Sequence, residues 1–461
     1  MGRNKQDNMK IKANRIELTQ IEKVHCPNDR PAGSVTVYAI RFANRAIAVL
    51  ITLLAANHGA LLQAEGLRSI VPGAFGLDRA GGRFAQVEDS SAVWHNPANL
   101  VFLTNAEVQL TPSVVYLQVD YSGASGVETS TENPWKPVPT LFASAPIQGG
   151  DFVLGLGITA PYGLSVDWDQ DPSSPFHYSA PYSTGMKTLN INPTLSVRLL
   201  ENLSLGLGFD AMWSELDIKQ YYPWVAFPGS VGGEPDGDAQ FKGNGWGWGV
   251  NVALTWEFVT NNRVAVTFRS QQTVAYDGDF TINNITPTAA ALGATASSGF
   301  STQIGFPNIV GVGYGLRLSD RIRIEVNAEW LQWSRFQSLS LDIDNNSFLL
   351  PSTAVPQDWN DSFTAGIAGD YRISDHFIAR LGYLYYNSPV PDETFSPSIP
   401  DSNQHVFTFG LGYHSGHHSV EAAYGLDLYE DREISGNVNP SYDGDYSWNV
   451  HLFSLSYRYT F

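Results

Sequence analysis

From Phe453 onward every second residue is large and apolar, namely Phe453, Leu455, Tyr457, Tyr459 and Phe461. The residues between them are Ser454, Ser456, Arg458 and Thr460. Successive side chains of a strand point to opposite faces, so residues 447–461 are predicted as a strand with one greasy, aromatic face and one polar face. In a soluble sandwich the greasy face would be the core. Against lipid it would be the outer surface, with the polar face lining a lumen. The aromatic terminus favours lipid, because rings collect at the edges of a membrane's apolar band.

The pattern recurs. Leu189, Ile191, Leu195, Val197 and Leu199 alternate with Asn190, Asn192, Thr194, Ser196 and Arg198. Ile322, Ile324, Val326, Ala328 and Trp330 alternate with Arg321, Arg323, Glu325, Asn327 and Glu329. Two kinds of connection separate such runs. Short ones fall at 148–150, 201–202, 259–262, 319–320, 374–375 and 415–418. Long ones, rich in Pro, Gly, Asp, Ser and Trp, fall near 122–137, 161–184, 219–244, 279–303, 344–361, 388–403 and 435–446. Their strict alternation predicts about fourteen antiparallel strands with every short turn on one side, the layout of an outer-membrane barrel. Unpaired charge in a packed sandwich would cost several kcal/mol per group, whereas a wet or salt-bridged lumen accommodates Arg323, Glu325, Glu329 and Arg372. Closing the sheet also removes edges that lipid cannot satisfy. The expected fold is all-β, a transmembrane barrel over 104–461.

Upstream the pattern changes. Arg41 to Ala64 combines two arginines, an apolar stretch from Ala46 to Ala56 and small residues near Ala60 and Ala64, and reads as a signal peptide. The apolar stretch is too short for a spanning helix, which needs about 20 residues. Residues 1–40 are polar and unpatterned, a leader or a misassigned start. The single cysteine, Cys26, lies in that leader, so no disulfide framework is expected and, with no lipobox-like run before it, no lipid anchor. Residues 65–103 show no alternation but carry Gly73, Gly76, Gly81, Gly82 and the Asn96-Pro97 turn former, a compact irregular piece ahead of the first strand.

Composition agrees. Charged residues make up 16% of the 461 and aromatic residues 12%, with 42 glycines and 12 tryptophans. That suits many strands with tight turns and two differently solvated faces. A net charge of −18 argues against nucleic acid, whose phosphates it would repel. No chemistry stands out. The Gly-x-Gly strings at 155–157, 206–208 and 311–313 open no helix and read as relief of crowding in curved strands rather than phosphate loops. Asp342, Asp344 and Asn345 lack the acidic residue that would close a calcium loop. His417-His418 has no partner for zinc. His177, His405, His414 and His451 fall in separate segments without a nucleophile motif. No enzyme activity, metal or cofactor is expected.

Several stretches together resemble the FadL/TodX family of outer-membrane transporters for long-chain fatty acids and aromatic hydrocarbons. Residues 76–100, GLDRAGGRFAQVEDSSAVWHNPANL, look like that family's plug, with Asn96, Pro97 and Ala98 its most recognisable tripeptide. Residues 155–168 and 189–199 resemble its third and fourth strands. Residues 243–258 and 306–336 match further blocks, and Ser388-Pro389-Val390-Pro391 with Ile399-Pro400-Asp401 completes the ordered set.

The resemblance implies a 14-stranded barrel with an internal hatch, passive uptake of hydrophobic ligands and their release sideways into the membrane beside an inward kink of the third strand. The alternative is a general diffusion porin. Gly157, Pro161 and Gly163 are the lateral-gate candidates, because proline lacks a ladder donor and glycine weakens pairing. The alternative reading of Pro161 is that it marks only the strand's outer end. Asn96 either bonds neighbouring backbone in the hatch or is an ordinary turn residue. Tyr221, Tyr222, Trp224 and Phe227 form an apolar run in a long loop, either a capture site for ligand or packing against a neighbouring loop. Where fatty-acid members place cations, this chain holds Glu215, Asp217 and Asn360, which puts a carboxylate ligand in doubt. The expected partners are a hydrophobic ligand, outer-membrane lipid and, through the strand ending in Phe461, the barrel assembly machinery.

Overall fold

A computed structural model describes residues 66–69, 74–124, 126–230, 232–345, 349 and 354–461. The expected leader (1–40) and the stretch read as a signal peptide (41–64) lie outside these residues. Fourteen antiparallel strands close on themselves. They are β1 (Glu107–Ser122), β2 (Trp135–Ile147), β3 (Phe152–Thr159 and Gly163–Trp168), β4 (Ser183–Leu200), β5 (Leu203–Tyr222), β6 (Gly237–Val259) and β7 (Asn262–Arg269 and Gln272–Ile282). There follow β8 (Ser297–Phe306 and Ile309–Arg317), β9 (Ile322–Leu331), β10 (Ser362–Arg372), β11 (Phe377–Tyr386), β12 (Gln404–Ser415), β13 (His418–Tyr429) and β14 (Gly444–Thr460). Closure is made by β1 against β14, from Glu107 opposite Thr460 to Ser122 opposite Asp445.

The lipid-facing alternation stands. On β14, Leu455 is 54% exposed while Ser454 and Ser456 are buried. Leu381, Val326, Phe409 and Trp248 likewise point outward. The polar-in half of the expectation needs correction. It holds chiefly for the end of the barrel that carries the short turns. Toward the long loops most inward positions become apolar: Val115, Leu117, Val119 and Tyr121 on β1, Met212, Leu216 and Ile218 on β5, Phe300, Ile304 and Phe306 on β8. Burying aromatic and aliphatic rings on one another needs no counter-charge, so this half packs as a core.

Two strands shift phase where this change occurs. Below Ser270-Gln271 the odd residues of β7 face inward, as with Ala265 and Arg269; above it the even ones do, as with Val274 and Tyr276. On β8 the same flip falls at Pro307-Asn308. A one-residue slip exchanges the two faces of a strand, which is what these breaks accomplish.

A charge placed on the lipid-facing side should be costly. Val326→Arg should lower stability by about 2–4 kcal/mol if the residue lies near the bilayer midplane. The urea midpoint of the refolded barrel measures this.

Candidate functional site

Residues 74–103 lie against the inward-facing side chains of the lower barrel. Helix α1 (Ala74–Asp78) and helix α2 (Ala92–His95) are single turns, followed by a 3₁₀ turn, Pro97–Phe102. Irregular backbone inside a barrel must find partners for its own polar groups. Glu325 of β9 supplies several: its carboxylate accepts the backbone N–H groups of Phe84 (2.6 Å), Ala85 (2.7 Å) and Gln86 (2.9 Å). Asn96 supplies more. Its Oδ1 accepts from Ala98 N at 3.0 Å, and its Nδ2 donates to Phe84 O at 2.6 Å and to Thr255 Oγ1 of β6 at 2.8 Å. Asn96 thus joins segment to wall, beyond an ordinary turn role.

Ion pairs complete the attachment. Asp78 meets Arg380 at 2.6 Å, Arg79 meets Asp370 at 3.2 Å, and Arg83 pairs with Glu329. Glu88 meets Arg263 and Arg323, each at 2.9 Å. Burial pushes the Glu88 carboxyl up, but Arg323, Arg263 and Arg317 outweigh it and hold it below the usual range. At Asp78 burial prevails over Arg380, and the carboxyl rises to about 7. The charges of the segment carried no signal beyond their presence in an unpatterned stretch. Only the fold brings Asp78 and Arg380 together.

The Gly-x-Gly strings form the seat. A side chain at Gly206 would stand 2.3 Å from Ala98 N and 2.4 Å from the Pro97 carbonyl carbon, so this position of β5 is closed to anything with a Cβ unless the backbone moves. Gly157 faces Val93 in the same way. It lies under the segment, below the break in β3.

That break is internal to the strand. Pairing of β2 with β3 runs from Ile147–Phe152 to Leu141–Ile158 and then stops. Higher up, the edge of β3 is taken by the short segment Glu128–Glu132, whose Thr131 and Glu132 pair with Trp168 and Asp167. Pro161 therefore does not simply mark the strand's end. Between the two contacts the wall has a window in its hydrogen-bond ladder. Along it, β3 bends to other partners: Ser69 N donates to Pro161 O and Gly163 N to Leu67 O, both at 2.9 Å, and Tyr162 N donates to Thr188 Oγ1 at 3.1 Å. The Tyr162 ring stacks on Phe306 at 4.3 Å. Pro161 and Gly163 are thus held by the N-terminal segment and β4.

Two expectations are corrected. The capture-loop residues are not an exposed apolar run. Tyr221 and Tyr222 end β5, Trp224 is fully buried and Phe227 nearly so. Trp224 packs on Tyr222 at 4.7 Å and its Nε1 donates to Asn283 O at 3.0 Å, while Tyr221 stacks on His177 at 4.4 Å. Large rings from adjacent loops bury one another, the cheaper arrangement in water. Glu215 and Asp217, in turn, do not face the lumen. Their neighbours Ser214, Leu216 and Ile218 do, and the carboxylates pair outside with Lys187 (3.5 Å) and Lys242 (3.7 Å). Asn360 N is engaged by Pro389 O. These residues cannot repel a ligand carboxylate inside the barrel.

A sheet closed by β1 on β14, a lumen occupied by an attached segment and an apolar outer half define an outer-membrane transport barrel of occluded type. The chain belongs to the family described as outer membrane protein transport protein (OMPP1/FadL/TodX), whose model matches residues 63–461. It is similar to the long-chain fatty acid transport proteins of Salmonella typhi (26% identical, 84% of this chain and 92% of the relative) and of Escherichia coli K12 (25%, with the same coverage). Its fold is shared with a Pseudomonas aeruginosa FadL homologue (TM-score 0.75, 21% identical, 86% of this chain and 99% of that one). It is shared also with the P. putida toluene transporter TodX (TM-score 0.69, 18%, 87% and 99%). The protein is an outer-membrane transporter of hydrophobic compounds and not a general diffusion porin. Members of this family are transporters or channels rather than enzymes.

Removing Glu325 tests the attachment. Glu325→Ala leaves three backbone donors and the Arg79 guanidinium without their carboxylate, a loss of roughly 3–5 kcal/mol for a buried charged partner. The segment should loosen, seen as flickering conductance in planar bilayers and faster proteolysis within 79–90.

Proposed function

We propose that this barrel takes up a long-chain fatty acid, a hydrocarbon or a related lipid by passive binding, with residues 65–103 as the hatch. Ligand is held among the apolar side chains of the outer lumen and leaves sideways into the membrane between β2 and β3. The observation that carries this reading is the window itself. It is bounded below by Leu141–Ile158 and above by Glu132–Asp167, and its inner edge is tied to the hatch at Leu67–Ser69. The names of the Salmonella relative and of TodX, a fatty acid carrier and a toluene transporter, bracket the ligand class. Such transport needs no nucleotide and no catalytic group.

The same reading gives Arg41–Ala64 the role of export signal. It makes outer-membrane lipid the receiving phase and the β14 terminus the handle for barrel assembly. Phe461 N donates to Ala106 O at 2.9 Å and its ring packs on Tyr459, so the terminal aromatic belongs to the β1–β14 seam.

Bridging the window tests the route. In a Cys26→Ser background, Pro139→Cys with Ala160→Cys places thiols on its two edges, where a short bifunctional methanethiosulfonate can join them reversibly. Uptake of radiolabelled oleate and toluene by cells lacking their own carrier should fall at least tenfold on bridging and recover with reductant. Unchanged uptake in the bridged protein would sink lateral exit.

A further inference from the structure

Lys136 is a buried ammonium to which the transport scheme gives no task. It stands on β2 between Trp135 and Pro137, where the β2–β3 ladder is open, and its side chain is 2% exposed. Its Nζ reaches across the window to donate to Ser165 Oγ on β3 at 2.8 Å. The nearest carboxylate, Asp167, is 4.0 Å away, beyond a hydrogen bond, and already accepts the Ser183 hydroxyl at 2.7 Å. An ammonium has three donors, so this one is undersupplied. The buried positions beside and opposite it, Val115, Val138, Leu164 and Val166, belong to the apolar cluster of the outer lumen. A buried cation with so few partners is costly to keep unless something else completes its shell.

We propose that Lys136 is a carboxylate site within the window, which receives the headgroup of a fatty acid while its alkyl chain remains among the apolar side chains of the lumen. A carboxylate oxygen completes the ammonium's hydrogen bonds in low dielectric, where charge-assisted bonds are strongest. A hydrocarbon or an alcohol gains nothing comparable. Asp167 is then the competitor that a ligand carboxylate displaces. The proposal rests on the lateral route described above and adds to it a preference for acids.

Matched ligands separate the two ideas. In cells lacking their own carrier, Lys136→Met should lower dodecanoate uptake about tenfold, the loss of one charge-assisted hydrogen bond, and leave dodecan-1-ol within twofold. Equal loss of both, or of neither, overturns the proposal. Should Lys136→Met fail to assemble, seen as loss of the heat-modifiable band, Asp167→Asn carries the test. It should raise dodecanoate uptake at least twofold with the alcohol unchanged, and no rise overturns the proposal. A wild-type barrel that carries the alcohol but not the acid also overturns it and leaves lateral transport standing. One that carries neither removes the transport scheme and this site together.

Discussion

A sheet in hydrocarbon can leave no backbone N–H or C=O unpaired, and this constraint shapes the barrel both where it is met and where the ladder opens. Closure of β1 on β14 meets it by ordinary pairing. The window between β2 and β3 meets it by substitution. Pro137 and Pro139 on the β2 edge carry no N–H, and on the β3 edge Pro161 O, Tyr162 N and Gly163 N are taken up by Ser69, Thr188 and Leu67. The opening is therefore tied to the N-terminal segment by the same bonds that make it tolerable. Moving that segment would return Pro161 O and Gly163 N to an unsatisfied state unless water or ligand replaced it.

The lumen divides along a related line. Near the short turns the interior is charged, because the segment lodged there presents backbone donors and the side chains of Asp78, Arg79, Arg83 and Glu88, which need partners. Glu325, Glu329, Asp370, Arg323 and Arg380 are those partners. Nearer the long loops the strands turn apolar residues inward, and Leu67 of the N-terminal segment joins their cluster. The breaks at Ser270-Gln271 and Pro307-Asn308 let β7 and β8 serve both zones by exchanging faces between them. Tyr162 on Phe306 joins the bend in β3 to the break in β8 across the apolar zone.

Much of this was legible in the chain. The period-two alternation and the contrast between short and long connections gave the strand number and the lipid face, because both follow from local geometry. Charges on inward positions such as Glu325 and Arg323 marked the lumen. What was hidden depended on distant pairs. Nothing local joins Asp78 to Arg380 or sets Ala98 on Gly206. The parity of β5 decides that Glu215 points outward, and its level in the barrel decides that its inward neighbour Leu216 is apolar. The Tyr221–Phe227 run misled because hydrophobic residues in a long loop look exposed until another loop is found to cover them. Lys136 was missed for the opposite reason, as an isolated cation in a Pro-rich stretch.

With Glu215 and Asp217 outside, the acidity of the chain no longer bears on what the lumen can hold. The net charge of −18 describes mainly surfaces and loops, while the outer lumen is apolar and the lower lumen is largely neutralised by its own ion pairs. A ligand with one negative charge then meets little repulsion along the apolar zone. Its headgroup does need somewhere to rest, since a carboxylate among aromatic rings costs several kcal/mol without a donor. Arg380 and Arg323 are already committed to Asp78, Asp370 and Glu88 beneath the segment. Lys136 lies beyond them, beside the apolar zone and at the opening. The division of the lumen into a charge-balanced seat and an apolar chamber thus leaves the window as the place where acid and hydrocarbon can be told apart.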